Sequence, residues 1–330
     1  MGDAATFPQI RPRRLRKSAR VREMVQRVRL RPSDLIAPVF VHDGERVEIS
    51  SMPGVFRRGV NDAADWLDTL AEKGVGGFLV FGVLPGHAKD DTGTSGRDDE
   101  NVVCRLVREV KRRGNPMVAI TDLCFCEYTD HGHCGPLVDG RVDNDATLEN
   151  LARQAVSHAE AGADWIAPSG SMDGMVAAIR AGLDDAGHHE TAILSYSVKY
   201  AGAFYGPFRD AADSAPGFGD RRAYQMDPAR GTDEAVREAL LDVDEGADLV
   251  MIKPAGAYLD IITAVRSAVR VPVVAYQTSG EYAMHVAGER AGWTDGDAVA
   301  LETLLAMKRA GADLLITYHI DRLDRLLPRE

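Results

Sequence analysis

The sequence predicts a single (β/α)8 barrel preceded by an N-terminal arm, and three observations carry that reading. Eight short apolar runs alternate with amphipathic segments of helical length over about 290 residues. The runs are near-continuous in Val, Ile and Leu, as strands of a parallel sheet covered by helices require. Helical segments close on glycine at the expected stops Gly74, Gly114, Gly162, Gly187, Gly246 and Gly311. An open doubly wound sheet competes with the barrel, but no GxGxxG follows the first strand.

The arm comes first, over residues 1–33. Residues 11–31, "RPRRLRKSARVREMVQRVRLR", hold ten Arg or Lys against Glu23 alone. With Asp3 included, residues 1–31 carry +8, so the remainder carries −19 of the net −11. A nucleic-acid arm is one reading of that asymmetry, but the run lacks stacking aromatics and the acidic body would repel phosphate. Docking on the acidic body of a neighbouring subunit fits better. The barrel then occupies 34–330. Its strands are read at 37–41, 76–82, 116–124, 164–169, 191–198, 248–254, 272–278 and 313–320. Helices are read at 62–73, 98–113, 144–161, 172–186, 232–245, 257–268 and 296–310. The tags "AGADW", "EGADL" and "AGADL" mark a repeated helix-turn-strand join.

No run approaches eighteen apolar residues, and the polar, basic start has no signal-peptide core. Four cysteines, three of them clustered, do not form a disulfide framework in 330 residues. In a reducing cytosol, where this reading places the chain, such a cluster more often binds metal.

Barrel enzymes keep their chemistry at the C-terminal ends of the strands. Here those ends carry Asp122, Cys124, Ser169, Lys199, Lys253, Tyr276 with Ser279, and Tyr318. A lysine buried at a strand end, near a second ammonium, loses proton affinity and becomes a nucleophilic amine. Such an amine forms an imine with a carbonyl substrate. The stretch "DLCFCEYTDHGHCG" (122–135) offers Cys124, Cys126 and Cys134 as thiolates. A closed structural zinc site completed by His131 or His133 and an open three-cysteine catalytic site both fit this spacing. Redox pairing fits poorly, since Cys124 and Cys126 are separated by one residue rather than two. After Lys199 runs "YAGAFYGPFRDAADSAPGFGDRRAYQM", too long and too rich in Gly and Pro for a simple barrel loop. Its Arg209, Arg221, Arg222 and Gln225 suit a carboxylate. "APSGSMDG" and "TSGEY" each set a hydroxyl ahead of a helix start, where capping and anion binding compete. Glu238 reads as an ordinary helix carboxylate.

Together these stretches resemble the porphobilinogen synthase (δ-aminolevulinic acid dehydratase) family of the zinc type. The motifs that carry the resemblance are "FGVLP", "DLCFCEYTDHGHCG", "SYSVKYAGAFYGPFRDA", "GDRRAYQM", "GADLVMIKPA", "AYQTSGEYAM" and "ITYH". The resemblance implies a lyase of haem biosynthesis that condenses two 5-aminolevulinate molecules to porphobilinogen with loss of water. It implies Schiff bases on Lys253 and Lys199, and carboxylate binding by Arg209, Arg221 and Gln225 on one side. Ser279 and Tyr318 would hold the other carboxylate, with Tyr276, Phe204 and Tyr205 lining the pocket. Asp122 and Ser169 would assist proton transfer, and zinc on the three cysteines would act as a Lewis acid. Glu238 matches a position through which some members bind allosteric magnesium. The family is usually octameric, though hexamers occur, and the arm embraces a neighbour. Among the departures, Glu127 stands where proline is common after the second cysteine. A class I aldolase would leave the cysteines and one lysine idle, and a zinc-organised scaffold would leave both lysines unexplained.

Overall fold

In a computed structural model, residues 7–327 are described. Eight parallel strands close on themselves: β1 Leu35–His42, β2 Gly77–Val83, β3 Val118–Leu123, β4 Trp165–Pro168, β5 Ala192–Lys199, β6 Leu249–Lys253, β7 Val273–Tyr276 and β8 Leu314–Ile316. Each pairs with its successor, and β8 returns to β1 through Leu35 opposite Leu315 and Ile36 opposite Ile316. The fold is a (β/α)8 barrel. In the arm, a 3-10 turn at Pro12–Arg16 and the short helix α1 (Ala19–Met24) contain no buried residue. Part of the expected arm, residues 1–6, lies outside the described residues, as do residues 328–330.

The helices wrapping the barrel are α2 Val60–Glu72, α3 Val102–Arg112, α4 Asn144–Glu160 and α5 Met175–Asp185. They continue with α6 Gly206–Ala212, α7 Thr232–Asp244, α8 Leu259–Ala268, α9 Ser279–Arg290, α10 Gly296–Ala310 and α11 Leu323–Leu326. All six glycines read as helix stops have positive φ, the conformation that carries a chain out of a helix at little steric cost. Four helices, α1, α6, α9 and α11, lie outside the expected ranges. α9 follows the "TSG" start, where Thr278 and Glu281 form a reciprocal cap. α6 forms inside the segment read as a lid.

Strand alternation builds two apolar layers. On β1, Ala37, Val39 and Val41 pack outward with Leu67, Val103 and Val107 of α2 and α3. Ile36 and Phe40 point inward with Leu79, Phe81, Ile120, Leu194, Met251, Val274 and Ile316. One irregularity decides the site. Ser195 pairs with Val250, yet Val198 pairs with Ile252, so β5 spends three residues where β6 spends two. This bulge shifts the phase of β5. Leu194 and Tyr196 belong to the inner layer, and strict alternation would place residue 198 there as well. Instead Val198 packs in the outer layer and Lys199 stands opposite Lys253.

Candidate active site

The inner-face residues at the strand ends form a ring around one cavity. Its wall includes Asp122, Ser169, Lys199 and Lys253 from strand ends, and Arg209, Arg221 and Gln225 from the segment after β5. That segment is closed at its base by bonds from Met226 N–H to the Lys199 carbonyl and from Ala201 N–H to the Met226 carbonyl. It lies on the cysteine loop. Arg221 Nη2 donates to the carbonyls of Gly132 and Ser214 at 2.9 and 2.6 Å. A Cβ at Gly132 would meet the Ala215 carbonyl oxygen at 2.3 Å, so only glycine permits this approach.

Lys253 is buried among rings. Its Nζ sits 4.0 Å from the Tyr276 centroid, 4.8 Å from Phe208 and 5.0 Å from Tyr196. Desolvation, and then the charge of Lys199, bring its pKa down to about 7. Lys199 donates its ammonium hydrogen to the Ser169 carbonyl. Burial pushes Asp122 up to about 6, against the opposing pull of Lys199 and Lys253. The Ser169 hydroxyl donates to Asp122 Oδ2 at 3.0 Å. Two lysine nitrogens and a carboxyl group thus share one desolvated site.

Cys124, Cys126 and Cys134 converge with all three sulfurs within 4.8 Å of one another, each buried and none in a disulfide. Cys124 Sγ lies 3.3 Å from Cys126 Sγ. Hydrogen bonds from the other two thiols, then the charges of Arg221 and Lys199, hold Cys134 well below its ordinary pKa. Within the same cluster Cys124 and Cys126 are pushed up, so the thiolate character gathers on Cys134, and three converging soft donors fit a metal ion. Among the described residues this is the one such cluster. The histidines are engaged elsewhere. His133 meets the Tyr224 hydroxyl and the Phe218 carbonyl, each at 3.1 Å, and His131 meets the Asp91 carbonyl at 3.1 Å. The reading with three cysteines and no histidine is the one this geometry favours.

The other expected residues divide. Tyr205 lines the cavity, and Tyr276 faces it through the Lys253 contact. Phe204 instead lines a separate groove with Tyr200 and Tyr258, and Phe208 takes the place beside the lysine. Tyr318 lines a neighbouring cavity, with its hydroxyl 2.8 Å from that of Tyr276. Ser279 Oγ accepts the Phe208 N–H at 2.9 Å, so it anchors α6. Glu238 lies on α7, outside the mouth. Burial and then Asp242, Asp173 and Glu234 raise its pKa, and no cluster of three ligand atoms among the described residues includes it. Phe81, Glu127 and Phe208 line the cavity without having been singled out as site residues. The inward alternation of the second strand could have shown Phe81. Glu127 stands out only as a departure beside Cys126, and nothing local marks Phe208.

The chain matches the delta-aminolevulinic acid dehydratase family over residues 9–326. It is 52% identical over 322 residues to the delta-aminolevulinic acid dehydratase of Methanothermobacter thermautotrophicus, covering 96% of this chain and 97% of the relative. It is 49% identical to that of Halalkalibacterium halodurans over the full length of both. The crystal structure of the delta-aminolevulinic acid dehydratase (porphobilinogen synthase) of Toxoplasma gondii, in complex with its reaction product porphobilinogen, superposes with a TM-score of 0.92. That pair is 40% identical, covering 96% of this chain and 91% of the other. With this match and a mouth that joins paired lysines to three cysteines, the chain belongs to the delta-aminolevulinic acid dehydratase family.

Proposed function

We propose that this protein condenses two molecules of 5-aminolevulinate into porphobilinogen with loss of water, through imines on Lys253 and Lys199. The observation that supports it most is the in-register pair of lysines on the inner face, beside a buried three-thiol cluster. Lys253, half neutral near pH 7, adds its nitrogen to the ketone carbon of one substrate. A C–N bond forms and the carbonyl oxygen leaves as water. Lys199 does the same to the second substrate. Asp122, pushed up to about 6 and oriented by Ser169, takes and returns protons between them. Arg209, Arg221 and Gln225 hold the first carboxylate, while Tyr276 and Tyr205 enclose the lysine. Phe204 borders this pocket only if the lid segment moves. Ser279 and Tyr318 hold the second carboxylate, which requires the Ser279 hydroxyl to turn its hydrogen from the Phe204 carbonyl to the substrate while still accepting the Phe208 N–H. Zinc held by Cys124, Cys126 and Cys134 would supply Lewis-acid polarisation of a substrate oxygen or nitrogen.

Among the described residues no helix is long and apolar enough to cross a membrane. A cytoplasmic homo-octamer, with residues 1–33 embracing a neighbour and no nucleic-acid role, accounts for the exposed basic arm and acidic body. Allosteric magnesium at Glu238 would need ligands from outside its own subunit or from water. A Glu238→Ala variant with a wild-type magnesium response would rule it out. The chemistry is tested by borohydride reduction of the zinc-loaded protein with 5-aminolevulinate, followed by peptide mass mapping. Adducts on Lys253 and Lys199 are expected. An unmodified protein that also forms no porphobilinogen would overturn the reading.

A further inference from the structure

One acidic side chain on the cavity wall has no part in the chemistry above. Glu127 directly follows Cys126 and is 2% exposed. Its Oε2 accepts the Gly82 N–H at the end of β2, at 3.2 Å, while Oε1 is buried without a hydrogen-bond partner. A buried carboxyl oxygen left unpaired is costly, so an orphan on a residue that lines a cavity points to something that enters the cavity. No protein cation is committed to it. Lys89, whose field reaches Glu127, donates its ammonium to the Asp213 carbonyl at 2.6 Å. The wall's other acid, Asp122, also leaves one oxygen, Oδ1, without a partner, but its Oδ2 is held by Ser169 and the charges of Lys199 and Lys253 act on it. Burial, and then the charge of Asp122, push the Glu127 carboxyl well above its ordinary range.

We infer that Glu127 is a specificity residue whose Oε1 takes a hydrogen bond from the amino group of the bound substrate, so that the site selects amino ketones over plain ketones. The inference rests on the proposed function and deepens it. In 5-aminolevulinate the nitrogen is attached to the carbon next to the ketone carbon that bonds to lysine. A substrate joined to Lys253 therefore carries its amino group within the same cavity as Glu127. The arginines of the wall cannot serve that group, because they are cationic donors.

The test compares 5-aminolevulinate with levulinate, which shares the ketone and the carboxylate but lacks the amine. Half-saturation of borohydride-trapped adduct on Lys253 is measured for each in zinc-loaded wild type, Glu127→Ala and Glu127→Gln. The amide variant keeps the side-chain shape should the alanine variant fail to fold. The preference of wild type for 5-aminolevulinate is expected to fall by roughly tenfold or more in the variants. Levulinate should half-saturate as in wild type. Equal weakening of both probes, an intact preference, or an effect that follows loss of measured zinc would overturn the assignment. A wild type that traps neither probe would instead sink the proposed function itself. A wild type that traps both without preference would sink only the role of Glu127.

Discussion

The mouth of the barrel divides into two arcs built from equivalent inward positions. β7, β8, β1 and β2 end in rings: Tyr276, Tyr318, Phe40 and Phe81. Phe40 stacks on Phe81 with centroids 5.5 Å apart, and on Tyr318 at 6.2 Å with planes 2° from parallel. β3 to β6 contribute Asp122, Ser169, Lys199 and Lys253, with the three thiols beyond β3. The arcs are complementary. The rings remove water from around Lys253 and offer it π-faces, while the polar arc supplies the second charge and the acid. Desolvation from one side and Lys199 from the other together make the amine reactive near neutrality. Neither arc would do so alone.

The largest way to break this division is Lys253→Met, which keeps the bulk and removes the amine. Turnover should fall by a factor on the order of 10⁴, with the trapped adduct at position 253 abolished. Next is the metal cluster. Chelation or Cys134→Ser should abolish turnover while circular dichroism stays near that of the untreated protein, because the barrel layers do not depend on these thiols. Loss of secondary structure would argue for a structural site instead. Cys104 provides the contrast. It is also buried, but it sits behind the strands beside Ser157, and burial raises it to about 11, so it remains a neutral thiol. Cys104→Ser should leave activity within about twofold and cost stability of about 1 kcal/mol.

A smaller effect sharpens the account of how the arcs cooperate. Lys253 carries a lowered pKa, so its neutral fraction grows as pH rises through about 7. The rate of trapping at Lys253 should therefore drop roughly tenfold per unit as pH falls below that point. Lys199→Met removes a charge that depresses Lys253, so the midpoint should move to higher pH. The shift should be partial, since desolvation is the larger cause and remains. A midpoint that does not move would show that the two amines do not sense each other.

The sequence by itself determined the architecture and much of the chemistry. Each strand is buried on both faces, so its apolar run is continuous, and each helix stop needs a positive φ that glycine supplies. Both are local requirements, and local requirements are legible. The cysteines and lysines were legible too, because they stand at strand ends where apolar residues would otherwise belong. α6 escaped because its stability comes from Ser279 and from packing against α9, contacts distant in sequence. Phe208 and Glu127 escaped for the same reason, since only the folded chain brings them to the cavity. The tertiary structure alone decided which way Lys199 points. Counting by twos from Leu194 and Tyr196 sends residue 199 outward, and only pairing with β6 inserts the bulge that turns it toward Lys253. A bulge is a relation between two strands, so neither strand's sequence contains it.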